Sequence, residues 1–223
     1  MVKETQTAVR ARAKKVFDRL TKAYPEAKCS LDHGEPLELL IATILSAQCT
    51  DERVNKTTPA LFKRFKTAKD FATAPQKELE KYIKSCGFYK NKATNIIGAC
   101  KKIVEEHRGE VPRTLEELVE LPGVGRKTAN VVLGTIFGVP GVVVDTHCGR
   151  IARRLGFTKQ EDPTKVEHDL MKVWPEEIWS LNSHLFVYHG RAVCFARGPK
   201  CSVCPVRELC PFPDTREGKQ IAK

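Results

Sequence analysis

Apolar residues recur at the three- and four-residue spacing of an α-helix along almost the whole chain, with no convincing β-hairpin, βαβ pattern or internal repeat. That pattern restricts the fold to helix packed on helix. Residues 7–24 put Val9, Val16, Phe17, Leu20 and Tyr24 on one face. "PLELLIATILSAQ" (36–48) opens with proline at a helix start, where its missing N–H costs nothing, and is apolar nearly all round; it predicts a central buried helix. Helices are expected over 51–66, bent or split at Pro59, near 67–73 and 75–85, and over 90–107. Thr114 and Glu117 make a capping box for a helix at 115–120, and another helix runs from about 126 to 137. "VPGVVV" (139–144) is a β-like connector. Asp145 is an N-cap for 146–155, which Gly156 closes, and two more helices fill about 163–173 and 175–193. The expected fold class is all-α.

A chain of 223 residues can bury a real core, and its longest apolar runs, such as "LLIATIL" (39–45), are too short to span a bilayer. No apolar stretch of the signal-peptide kind follows the basic N-terminus. The first 28 residues are basic and amphipathic like a transit peptide, although Glu4, Asp18 and Glu26 argue against one. The net charge is +11, and residues 53–102 hold thirteen Lys/Arg against three Asp/Glu. A solvated face and a surface for a polyanion both account for that concentration. A membrane surface fits less well, because no strongly apolar helix face accompanies the charge. Nine cysteines, an odd number, argue against a disulfide framework in an intracellular chain. Five of them are scattered and expected to be buried small hydrophobes.

The other four read C-x6-C-x2-C-x5-C at Cys194, Cys201, Cys204 and Cys210. Four thiolates this close can enclose one metal centre. Zinc and an iron–sulfur cube both remain open, and the single C-x-x-C knuckle tilts the choice toward the cube. Arg197 and Lys200 lie in the six-residue interval, so the metal would hold a basic loop outward.

"LPGVGRKTANVV" (121–132) puts Gly123 and Gly125 in a tight turn, then Arg126 and Lys127 in the first turn of a helix. The whole is a helix–hairpin–helix whose free N–H groups favour an anion. For Lys127 the common role is a surface lysine pairing with phosphate. The positive end of the helix dipole, desolvation and Arg126 would together disfavour its ammonium form, and a lysine so prepared can form a Schiff base. Asp145, 18 residues on, is first of all an N-cap, but a carboxylate held that rigidly can also stabilise developing positive charge or manage protons.

Together "LPGVGRKTAN", "VDTH", the cysteine loop, "LLIATILSAQCTDERVN" and "HGRAVC" resemble the endonuclease III family of DNA base-excision glycosylases, from about residue 8 to 212. The resemblance implies two lobes. One is a six-helix barrel with the helix–hairpin–helix at 29–138; the other, 1–28 with 139–223, carries a 4Fe–4S cluster on the four cysteines. It implies that damaged double-stranded DNA binds across the cleft, that Lys127 and Asp145 face each other there, and that the chain is a monomer with no membrane partner, cytoplasmic or nucleoid-associated. Lys127 falls on the family's nucleophile and Asp145 on its aspartate. The reaction the resemblance implies flips a damaged pyrimidine out of the duplex, displaces it with the lysine, and cuts the strand 3′ to the lesion by β-elimination. Gln48 matches the residue that fills the gap left by the base. Phe88 aligns with a wedge that is usually aliphatic, and His147 is an expected DNA contact. The adenine-mismatch branch shares the cysteine spacing but lacks the lysine, and it normally carries an extra C-terminal domain, whereas this sequence ends 13 residues after Cys210. A protein using hairpin and cluster for binding alone leaves the Lys127–Asp145 pair unexplained.

Overall fold

The computed structural model describes residues 4–221, and no strand occurs among them. The helices are α1 (Gln6–Ala23), α2 (Pro36–Ser46), α3 (Asp51–Arg64), α4 (Ala68–Ala72), α5 (Gln76–Ile83), α6 (Tyr89–Glu106), α7 (Leu115–Val119), α8 (Arg126–Ile136), α9 (Thr146–Arg154), α10 (Pro163–Val173), α11 (Trp179–Ala192) and α12 (Arg216–Ile221). Short 3-10 turns separate several of them. The chain divides into two compact units, one formed by Cys29–Val139 and the other by the described residues on either side of it.

The first unit is built around α2, whose Leu39, Leu40, Ile41, Ala42, Thr43, Ile44 and Leu45 are all buried. This is the helix without a polar face that the sequence predicts. It ends two residues earlier than expected, at Ser46. Val54 and Leu61 of α3, Leu79 and Ile83 of α5, Ile96 and Ile103 of α6, and Val132 and Leu133 of α8 close around it. Each such side chain, fully buried, stabilises the fold by about 1.5–3 kcal/mol. Pro59 does not split α3; it lies on the exposed side of an unbroken helix.

In the second unit the amphipathic N-terminal segment is a core element. Ala13, Val16 and Leu20 of α1 are completely buried, and α1 packs on α10 and α11. Cys148, Ile151 and Ala152 of α9 meet Leu185 and Phe186 of α11 in the same core, where Trp174 stands edge-on to Phe186 with centroids 5.1 Å apart. The connector before α9 is not a strand. The Val143 N–H donates to Ser183 Oγ at 2.9 Å and the Gly141 N–H to Ser180 Oγ at 3.4 Å, so α11 hydroxyls accept bonds a sheet would otherwise accept. Helix α12 has no counterpart among the sequence expectations.

Candidate functional site

The link from α7 to α8 alternates in burial. Leu121 and Val124 point into the core, while Gly123 and Gly125 are exposed. Gly123 has φ +77°, and a Cβ there would come within 2.8 Å of Asn95 Cβ on α6, so both conformation and space require glycine. A Cβ at Gly98 of α6 would lie 3.2 Å from Pro122 Cγ, which seats the hairpin on α6. Gly125 is the N-cap of α8, with no side-chain hydrogen bond capping that helix start and open space where a Cβ would stand. The capping box expected for α7 is half formed. Thr114 Oγ1 accepts from the Glu117 N–H at 3.3 Å, but Glu117 Oε2 accepts the Thr114 hydroxyl proton at 2.6 Å instead of reaching the backbone.

Arg126 and Lys127 occupy the exposed first turn of α8. The chain therefore does not itself take Lys127 out of water. The desolvation expected from the sequence is not found at this exposed turn.

Gln48 and Phe88 are both exposed, and both hold left-handed backbone, at φ +53° and +46°. For residues other than glycine that conformation costs about 1–3 kcal/mol each. Gln48 lies beyond α2 rather than within it, and Phe88, 65% exposed, is the N-cap of α6. Behind them is a residue that sequence reasoning missed. Lys92, only 5% exposed, donates from Nζ to the Leu45 carbonyl and to the Cys86 carbonyl, each at 2.8 Å. Bonds from a charged donor contribute about 1.5–3 kcal/mol each, the same scale as the strain beside them. Burial pulls the Lys92 pKa below the usual lysine value, opposed by the nearby Cys49 and Cys86. A signal was present: Lys92 stands four residues before Ile96 and eleven before Ile103, on the apolar stripe of α6.

Asp145 is the N-cap of α9, its Oδ1 accepting from the Cys148 N–H at 2.7 Å. It is half-buried among groups that feel its charge. The pKa values of His147 and His184 are pulled down chiefly by burial, and the carboxylate opposes this in both. Arg150 Nη2 lies 3.0 Å from His147 Nδ1, and Arg150 also donates from Nη2 to the Cys194 carbonyl at 2.9 Å. A Cβ at Gly190 of α11 would meet His147 Nδ1 at 2.5 Å and Arg150 Nη2 at 3.0 Å, so glycine is required for α11 to approach α9 this closely. His147 is thus seated inside the unit by one edge. Lys127 belongs to the first unit and Asp145 to the second.

Cys194, Cys201, Cys204 and Cys210 line one small apolar cavity. Arg154 of α9, nearly buried, donates to Cys194 Sγ at 3.3 Å, to the Phe195 carbonyl at 2.7 Å and to the Ala196 carbonyl at 3.0 Å. Its guanidinium stacks over Phe212 at 4.3 Å. His189 Nε2 lies 3.5 Å from Cys204 Sγ and its Nδ1 2.9 Å from the Tyr24 hydroxyl, with the imidazole pKa pushed down by burial to about 4. Burial, reinforced by the other cysteines of the set, pushes the Cys204 and Cys210 thiols up to about 11. Four thiols around one cavity, with the Arg154 cation against Cys194, suit a metal centre that binds them as thiolates and spreads the charge. Arg197 and Lys200 are exposed on the intervening loop, Lys200 Nζ lying 5.4 Å from the Phe195 ring centroid. Of the other five cysteines, Cys86, Cys100 and Cys148 are buried as expected, whereas Cys29 and Cys49 are half-buried.

The basic stretch 53–102 is less free than its composition suggests. Lys92 is buried, Lys56 pairs with Glu52 at 2.6 Å, Arg64 with Glu78 at 2.8 Å, and Lys102 lies between Glu106 and Glu120 at 3.7 and 3.6 Å. No helix among the described residues is long and apolar enough to cross a membrane.

Residues 41–176 match the model of the HhH-GPD superfamily base excision DNA repair proteins. The chain is 57% identical over 201 residues to endonuclease III of Synechocystis sp., covering 90% of this chain and 92% of the relative. It is 46% identical over 208 residues to endonuclease III of Bacillus subtilis, covering 93% and 95%. Among solved structures it is similar to a trapped endonuclease III–DNA covalent intermediate, with a TM-score of 0.87, 47% identity, and coverage of 95% of this chain and 97% of that one. A thermostable thymine-DNA glycosylase, 22% identical with a TM-score of 0.82 over 93% of this chain and 99% of that one, shares the fold. Identity of this extent, over a chain whose helix–hairpin–helix folds as described, places the protein in the endonuclease III family of base excision DNA glycosylases with AP lyase activity.

Proposed function

We propose that this chain removes oxidised pyrimidines from damaged duplex DNA and then cuts the strand 3′ to the abasic site, with Lys127 as nucleophile and Asp145 as its charged partner. The observation that carries the reading is Lys127 itself, an exposed amine in the first turn of a helix that no side chain caps. The α8 N-terminus and the outward Gly123 and Gly125 suit a DNA phosphate, and Arg126 adds charge there. A duplex pressed onto this turn would supply the desolvation that the free chain lacks. Gln48 and Phe88 enter the helix where the damaged nucleotide leaves it, an aromatic serving as well as an aliphatic wedge. His147, Arg197 and Lys200 contact the backbone.

In the reaction, Lys127 Nζ bonds to C1′ of the deoxyribose as the glycosidic C–N bond breaks and the base departs with its electron pair. The alkylated nitrogen gives up a proton and the ring oxygen takes one as its bond to C1′ breaks, so the sugar opens to an iminium. Removal of a C2′ proton then breaks the C3′–O bond, so the 3′ phosphate leaves and the strand is cut; water hydrolyses the remaining imine, which frees Lys127 and leaves the unsaturated aldehyde. Asp145 stabilises the positive charge that builds on the sugar and takes part in the proton transfers. Duplexes bearing one ring-saturated or oxidised pyrimidine should be cut to a 3′-unsaturated aldehyde end, with undamaged duplexes left whole. Base release without strand cleavage would contradict the reading.

The cysteine loop is proposed to hold a 4Fe–4S cluster. Zinc requires four sulfurs about 2.3 Å from one point. The four thiols ring one cavity, and their spacing has a single C-x-x-C knuckle where zinc ribbons use two, which favours the cube. When bound, the cluster supplies a four-point cross-link of residues 194–210. Arg154 and Arg150 tie that segment to α9, and so to Asp145 at its start. Purified protein is expected to be yellow-brown with about four iron and four sulfide per chain. Stoichiometric zinc without iron would overturn the assignment.

A further inference from the structure

We infer that Lys92 is a positioning residue that sets Gln48 and Phe88 as a pair. The inference rests on the reading that these two side chains probe the duplex. The two residues lie forty positions apart in sequence, on separate segments, and both are exposed with left-handed backbone. Each segment has its own local turn: Gln48 is the third residue of a turn closed by the Cys49 N–H on the Ser46 carbonyl at 3.0 Å, and Phe88 follows the 3-10 turn Lys84–Cys86 and Gly87; neither turn by itself sets one residue relative to the other.

One buried amine reaches both segments. Its bond to the Leu45 carbonyl holds a helix end that would otherwise present an unpaired acceptor, three residues before Gln48. Its bond to the Cys86 carbonyl holds the turn two residues before Phe88. The Lys92 backbone N–H completes the arrangement by donating to the Phe88 carbonyl at 3.0 Å. The side chain and main chain of one residue thus fix the wedge at two points and the gap-filler at one. A surface lysine would not be 95% sequestered to make these bonds, and a purely packing role would be filled better by an apolar side chain at the same place.

Lys92→Met keeps the length and packing of the stem and removes both Nζ bonds. In the DNA-free protein, hydrogen exchange should rise together in the segments around 45–49 and 86–90, with α8 unchanged. On a paired duplex carrying one ring-saturated pyrimidine, single-turnover base release should fall about 10- to 100-fold, the scale expected for displaced positioning groups. In a Gln48→Ala/Phe88→Ala background the same substitution should cost under about threefold, because the groups it positions are gone. Lys92→Arg, which keeps the charge but puts a bulkier planar guanidinium where a compact ammonium fits, displaces both segments and gives the same pattern if the Met variant does not fold. Equal losses in both backgrounds, or exchange that rises uniformly across the unit, would overturn the inference. A wild-type protein that releases no base while the exchange pattern holds would instead overturn the functional reading alone.

Discussion

Lys127→Ala is expected to abolish strand cleavage at an abasic site and to lower base release by about three orders of magnitude or more, a barrier increase of about 4 kcal/mol. The reason is chemical. The residue supplies the bond-forming electron pair, and no other group in the uncapped first turn of α8 can replace it, because an arginine guanidinium does not deprotonate under these conditions. The same substitution should leave the fold nearly untouched. Lys127 is exposed, and exposed substitutions shift stability by about 0.5 kcal/mol or less. Duplex affinity should fall only by the share of one cation, seen as a salt dependence shallower by about one unit. A variant that keeps cleaving at the wild-type rate would move the chemistry to another amine.

Asp145→Asn should separate two roles that coexist in one side chain. Asparagine caps a helix about as well as aspartate, so the bond to the Cys148 N–H and the start of α9 should survive. The negative charge does not. Base release is expected to fall about 10²- to 10⁴-fold, the range for a group that manages protons or opposes developing charge. Affinity for the duplex should hold or tighten, since a carboxylate repels phosphate. His147 and His184, whose pKa values the carboxylate holds up against burial, should drop further in the variant, which proton NMR would register. Parallel losses of rate and affinity would reduce Asp145 to a cap.

Much of this was legible in the sequence because the signals are local. The apolar circuit of α2, the Asp145 cap, the glycine turn before Lys127 and the spacing of four cysteines each sit within a window of under twenty residues, where periodicity and turn chemistry operate. The parts that were not legible depend on distant partners. The place of Lys92 on the apolar stripe of α6 hints at burial, but what the buried amine bonds to is read only once a carbonyl 47 residues away is brought to it. Left-handed backbone at Gln48 and Phe88 carries no propensity signal, since neither residue favours it. Gly190 looks like any helical glycine until His147 and Arg150 are placed against it. Arg150 and Arg154 announce charge, whereas the structure uses their geometry to bind the carbonyls of the cysteine loop. The exposure of Lys127 was the reverse case: local turn chemistry drew attention to the residue, but its burial had to be read from the fold.

The central claim is that one amine bonds covalently to the sugar, and borohydride reduction of the protein on an abasic duplex tests it most directly. Wild-type protein should yield a stable protein–DNA adduct, and digestion followed by mass spectrometry should find the deoxyribose remnant on Lys127. No adduct, or an adduct mapped to any other lysine, would contradict the account.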